Sequence, residues 1–180
     1  VFSGPTETIS AHAFENCSSL KELVFQKRVL SIGDYAFQNC GIVSLSLPAG
    51  LQFIGNDAFS CCNSLSEVSL PATLTDADSA FWRCENLKKV IFAEGTTQIF
   101  YSMFSLCTSL SEIVFPDSLT TIGINAFTRC AVPYLSLPDS ITSIGRRAFY
   151  ACDSLEWVEL PASLRSSGIY VFGDCPRLRT

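Results

Sequence analysis

The chain has 180 residues, 48% apolar but only 16% charged, where ordinary globular domains carry about 25% charged residues. Its apolar runs are a few residues long, too short for the ~20 that a membrane-spanning helix needs, and no basic-then-apolar leader follows Val1. A formal net charge of −5 without a basic face argues against nucleic-acid binding, and the single histidine rules out a histidine-rich metal site.

Repetition dominates the sequence. A phenylalanine, mostly in an Ala-Phe pair, recurs at Phe14, Phe37, Phe59, Phe81, Phe104, Phe127, Phe149 and Phe172, in steps of 22 or 23 residues. Three residues after each stands a cysteine: Cys17, Cys40, Cys62, Cys84, Cys107, Cys130, Cys152 and Cys175. Of nine cysteines only Cys61 falls outside this ladder. A Leu-x-x-Val-x-Leu-Pro segment follows each cysteine, as in Leu65 to Pro71, Leu110 to Pro116 and Leu155 to Pro161; then come Leu-x-x-Ile-Gly and the next Ala-Phe. One-residue deletions before Ile42, before Val132 and within residues 75–80 account for the shorter steps.

A unit this short cannot bury its apolar face alone, and stacked neighbours bury it jointly. In each Val-x-Leu the two apolar residues share one side of a short strand. In chain order the inward pairs are Leu23/Phe25, Leu45/Leu47, Val68/Leu70, Val90/Phe92, Ile113/Phe115, Leu135/Leu137 and Val158/Leu160. Stacking pairs these strands in parallel, and Pro48, Pro71, Pro116, Pro138 and Pro161 end five of them, because proline has no N–H to extend the ladder. A second short strand is expected over Leu-x-x-Ile. Gly33, Gly55, Gly123, Gly145 and Gly168 mark a corner, read as a tight turn with positive φ. The three-residue Phe-to-Cys spacing suits a short helical turn facing inward. Residues 1–3 align with a strand end and residues 177–180 with a strand start, so residues 1–180 are read as one solenoid cut from a longer array, with ends able to self-associate.

The combined pattern, Leu-x-x-Ile-x-Leu-Pro-x-x-Leu-x-x-Ile-Gly-x-x-Ala-Phe-x-x-Cys, resembles the BspA-like class of leucine-rich repeats over essentially the whole chain. The resemblance implies an α/β solenoid: a right-handed coil of about eight 22–23-residue units, with short parallel strands on one face and short helical turns on the other. It implies an extracellular or cell-surface protein that adheres to a protein partner, such as a host or extracellular-matrix protein, without catalysis, cofactor or membrane insertion. The alternative is a spacer or targeting domain of a larger surface enzyme. The pattern departs in residues 75–80, which lack Ile-Gly, and in residues 97–103, where Phe100 replaces the glycine and Met103 the alanine.

No residue set points to catalysis or to a metal. The ladder cysteines read as reduced, buried thiols, because pairing would split a uniform column into arbitrary couples; their spacing fits no zinc site. Cys61 shares the position of Asn39, Arg83 and Arg129 and reads as partly exposed. His12 reads as a surface residue, Asp76 and Asp78 as a solvated turn, and the Asn16-Cys17-Ser18 sequon as unused, since its middle residue belongs to the ladder.

Alternation places one outward row at Glu22, Ser44, Glu67, Lys89, Glu112, Tyr134 and Trp157, and the next at Val24, Ser46, Ser69, Ile91, Val114, Ser136 and Glu159. Glu112, Val114, Tyr134, Trp157 and Glu159 form the candidate binding patch, because exposed aromatics bordered by polar groups are common binding anchors. A weaker second patch comprises Trp82, Phe100 and Tyr101; local repacking around the deleted residue and the lost Ile-Gly is the preferred account of these.

Overall fold

The computed structural model describes residues 7–25 and 29–179. The expected strand ends at residues 1–3 and at Thr180 lie outside the described residues.

Each coil contributes a longer and a shorter strand, except that the coil after Glu67–Leu70 has only an isolated bridge in place of the shorter one. The longer set is β2 (Glu22–Val24), β4 (Ser44–Ser46), β6 (Glu67–Leu70), β7 (Lys89–Phe92), β9 (Glu112–Val114), β11 (Tyr134–Ser136) and β13 (Trp157–Glu159). The shorter set is β1 (Thr8–Ile9), β3 (Ser31–Ile32), β5 (Phe53–Ile54), β8 (Gln98–Ile99), β10 (Thr121–Ile122), β12 (Ser143–Ile144) and β14 (Ser166–Ser167). Every pairing is parallel and joins successive coils. The result is a parallel β-solenoid of about seven turns.

The helical turns are not there: among the described residues there is no helix, so the α/β description gives way to an all-β coil. The arcs after Gly33, Gly55 and Gly123 are each a run of three i-to-i+3 turns instead. In the second coil the N–H groups of Ala36, Gln38 and Cys40 donate to the carbonyls of Gly33, Tyr35 and Phe37. The alternate N–H groups, of Tyr35, Phe37 and Asn39, leave the arc and donate to Asn56, Ala58 and Ser60 of the next coil at 2.7–3.0 Å. An α-helix would consume its N–H groups within itself. Here every second one is spent between coils, which requires left-handed backbone at two positions per arc. Tyr35 and Asn39 both have φ of 56°, and the equivalent residues of the other arcs follow, from His12 and Asn16 to Tyr170 and Asp174.

The corner glycines also differ from expectation. None has positive φ; among the described glycines only Gly95, outside the corner, does. Their reason is close approach. A Cβ on Gly145 would stand 2.5 Å from Ile124 N, and one on Gly33 2.5 Å from Ala11 N. Backbone meets backbone of the preceding coil where a side chain has no room. The departures from the pattern show what happens otherwise. Ala77 and Phe100 occupy the corner in successive coils, and there the short ladder fails: β5 keeps one isolated bridge, Phe53 to Asp76, and a new ladder begins at β8. Asp78 bridges the gap with its side chain, accepting the Tyr101 N–H at 3.0 Å.

The core is a set of columns. The phenylalanines Phe14 to Phe172 stack face to face, with ring centroids 5.2–5.7 Å apart and planes within 15°. Such pairs add about 0.5–1.5 kcal/mol beyond area burial. Phe92 and Phe115 form a short second column, edge-on to Phe104 and Phe127. Beside these run the cysteines, all free. Each ladder thiol from Cys40 onward donates to the phenylalanine carbonyl of the preceding coil, as in Cys84 Sγ to Phe59 O at 3.1 Å and Cys107 Sγ to Phe81 O at 3.2 Å. Most of the inward strand residues are buried, from Leu23 to Leu137; Phe25, Leu47, Ile113, Phe115 and Val158 are only partly buried against the core, and Leu160 is 51% exposed.

Candidate functional site

The open face of the longer strands carries the candidate patch. In the β11–β13 ladder Tyr134 registers with Trp157, Leu135 with Val158 and Ser136 with Glu159. Leu135 points into the core, so its neighbours point out: Tyr134 is 65% exposed and Trp157 47%. Ser136 Oγ donates to Glu159 Oε2 at 3.3 Å across the ladder, which holds the carboxylate beside the aromatic pair.

Glu112 and Val114 stand apart from this group. They lie on β9, the last strand of the β6-β7-β9 ladder, and no strand pairing joins β9 to β11. Pro133 contributes to this seam, although the ladder also breaks between β4 and β6, where the equivalent residue is Ser66. Pro133 occupies the position of Val43, whose N–H donates to Lys21 O at 2.8 Å, and proline has no N–H to give. Glu112 is also engaged, in an ion pair with Lys89 at 2.7 Å that raises the lysine pKa mainly through the hydrogen bond. The structure therefore assembles Tyr134, Trp157 and Glu159, and places Glu112 and the exposed Val114 across a break in the sheet.

The second patch does not share one surface. Phe100 is buried and packs into the core with Met103, while Tyr101 is exposed. Trp82, half-buried, lines a small cleft with Gln38, Asp57 and Ser79. Asp57 has a raised pKa, chiefly from burial and then from the charge of Asp34. Asp76 and Asp78 act as backbone acceptors, and burial raises the Asp78 carboxyl. His12 is exposed, stacks on Tyr35 at 5.0 Å and reaches Glu15 at 2.7 Å. Cys61 is half-buried, and its thiol is pushed up by burial against the opposing pull of Arg83.

One cluster escaped sequence reading. The Arg147 guanidinium lies over Tyr150 at 5.1 Å and Tyr170 at 5.7 Å, and the Tyr150 hydroxyl meets Asp174. That hydrogen bond raises the Tyr150 pKa. The available signal was spacing: Arg147 and Tyr170 hold the same position in successive arcs, three residues before Tyr150 and Gly173.

Among the described residues no group of three or more His, Cys, Asp or Glu side chains could hold a metal ion, and no helix is long and apolar enough to cross a membrane.

Comparison with known proteins bears on fold and family. No curated protein matches the chain. The chain is similar in structure to a leucine-rich repeat protein from Bacteroides ovatus, with 22% identity over 96% of this chain and 69% of that one and a TM-score of 0.53. It is similar to a leucine rich cell surface protein from Faecalibacterium prausnitzii, with 22% identity over 99% of this chain and 57% of that one and a TM-score of 0.65. It is similar to the pneumococcal vaccine antigen PcpA, with 21% identity over 94% of this chain and 53% of that one and a TM-score of 0.57. The chain thus spans little more than half the length of the latter two. The family described as BspA type leucine rich repeat region matches residues 7–132 and 77–180, in six copies. The chain belongs to the BspA-type leucine-rich repeat family.

Proposed function

We propose that the array is a non-enzymatic binding and adhesion module of a cell-surface or secreted protein, and that it engages a protein partner through the open face of its longer strands. The observation that carries this reading is the registered pair Tyr134 and Trp157, both exposed on adjacent strands with Glu159 fixed alongside. Two aromatic rings on a rigid ladder offer a large apolar area with little rotamer entropy left to lose. The similarity to a cell surface protein and to a vaccine antigen supports the surface location.

The test uses the double variant Tyr134→Ala/Trp157→Ala. Wild type and variant are passed over immobilised, purified extracellular-matrix proteins, with retention measured by surface plasmon resonance. Each anchor is expected to contribute about 2 kcal/mol, so the double variant loses binding by two orders of magnitude or more while its melting temperature stays unchanged. Equal retention of the two proteins removes this face from the binding surface.

A further inference from the structure

The two deletions that follow a ladder cysteine are resolved in opposite ways. After Cys40 the chain closes on itself. Gly41 N donates to Cys17 O, and a Cβ at Gly41 would stand 2.0 Å from Ser18 O, so the missing residue leaves no gap. After Cys130 the next residue is Ala131, whose Cβ forbids that approach. Its N–H reaches further along the preceding coil, to Leu110 O at 2.8 Å. Here a notch of about 490 Å³ opens between Thr108 of one coil and Asp153 and Ser154 of the other, with Arg129, Cys130 and Ala131 completing it. That volume lies within the ~300–1,000 Å³ of small-ligand sites.

The notch carries opposite charges that do not meet. Arg129 comes from one arc and Asp153 from the next coil, and among the described residues neither takes part in an ion pair or a side-chain hydrogen bond. The side-chain hydroxyls of Thr108 and Ser154 are likewise unengaged among the described residues. A guanidinium offers paired donors that suit a carboxylate. A carboxylate with free lone pairs suits an ammonium, and the two hydroxyls can serve either.

We propose that this notch binds a small zwitterion with a free α-carboxylate and α-ammonium, either a short peptide or a single amino acid. Arg129 takes the carboxylate and Asp153 the ammonium, with Thr108 and Ser154 completing the polar shell. The site is separate from the sheet face and does not depend on the role proposed for it. Its charges are solvent-exposed, so affinity is modest, on the order of 1 mM, and falls with added salt.

Triglycine is titrated into the ¹⁵N-labelled array and followed by amide chemical shifts. Glycine and N-acetyl-triglycine amide are titrated in parallel. Saturable shifts confined to Thr108, Ala131, Asp153 and Ser154 are expected with triglycine and not with the blocked peptide. Arg129→Gln and Asp153→Asn are each expected to weaken binding about tenfold or more, since a charge-assisted hydrogen bond is lost. Saturation by glycine as tight as by triglycine identifies a single amino acid as the ligand; saturation by triglycine alone identifies a peptide with separated termini. The proposal is overturned if neither zwitterion gives saturable shifts, if the blocked peptide binds equally, or if both variants bind as wild type does.

Discussion

Replacing Gly145 by alanine tests whether the corner glycines serve close approach. The added Cβ would lie 2.5 Å from Ile124 N, 2.7 Å from Gly123 C and 2.9 Å from Gly123 O, where ordinary contact starts at 3.4 Å. All three atoms are backbone, so no side chain can swing aside, and the two coils must part by about 0.9 Å to restore contact. The Gly145 N–H bond to Ile122 O, now 2.8 Å, would then stretch beyond any useful length. Its loss costs about 1 kcal/mol and the crowding about 1–3 kcal/mol more. The entropy that alanine removes from the unfolded chain returns only ~0.4–1 kcal/mol. The net loss is about 1–3 kcal/mol, a fall in Tm of several degrees at about 2–4 °C per kcal/mol for a chain of this size. Gly50→Ala is the control, since its new Cβ would meet only Leu30 Cδ2 at 3.8 Å and leaves stability unchanged or slightly raised. Urea unfolding of both variants measures the difference. A Gly145→Ala protein as stable as Gly50→Ala would refute the reasoning. The chain already contains a version of the experiment, because the short ladder stops where Ala77 and Phe100 stand at the corner.

The thiol column makes further predictions. In the native protein a thiol reagent reacts with the exposed Cys17 and the half-buried Cys61 and Cys175, and the six buried cysteines react only after denaturation; full native reactivity would mean the column is open to water. Burial pushes the Cys62 and Cys107 thiols up to about 12 from 9.0, so the folded state holds these protons more tightly than the unfolded chain. That contribution is fully present below about pH 9 and is lost as pH rises towards 12. Tm therefore falls across this window, and falls less steeply in Cys107→Ala, whereas equal slopes would place the alkaline transition elsewhere. Phe104→Ala breaks the aromatic column at its middle, between Phe81 and Phe127, and is expected to cost about 3–5 kcal/mol in urea unfolding; a loss under 1 kcal/mol would show that neighbouring coils collapse into the space.

The repeat made the buried half of the molecule legible, because a residue that recurs every 22 or 23 positions must meet its own copies in the next coil. Phe37, Cys40, Val68 and Ile144 are where stacking requires them. The conformation of the arc was less legible. A three-residue spacing from Phe to Cys fits a helical turn and an i-to-i+3 turn equally, and what decides between them is non-local: half of the arc's N–H groups are committed to the next coil. Asn16, Asn39 and Asn125 were the local hint of left-handed backbone, since asparagine tolerates it best after glycine. Tyr35, Leu106 and Ala151 hide that hint, because they adopt the same φ under the constraint of the hydrogen bonds rather than by preference.

The candidate site shows the same division between what alternation carries and what it does not. The in-out pattern placed Tyr134 and Trp157 on the open face correctly, but alternation within a strand says nothing about whether the next strand is paired. Pro133 held that information, as a missing donor at one point of the ladder. The seam separates Glu112 and Val114 from the aromatic pair, and the notch that Arg129 lines lies beside the deletion. In a solenoid whose coils are near copies, a position that breaks the copy carries local information that the repeat itself cannot. Residues 129–134 break it twice, by a lost residue and by a lost N–H, and both a seam in the sheet and a polar notch lie there.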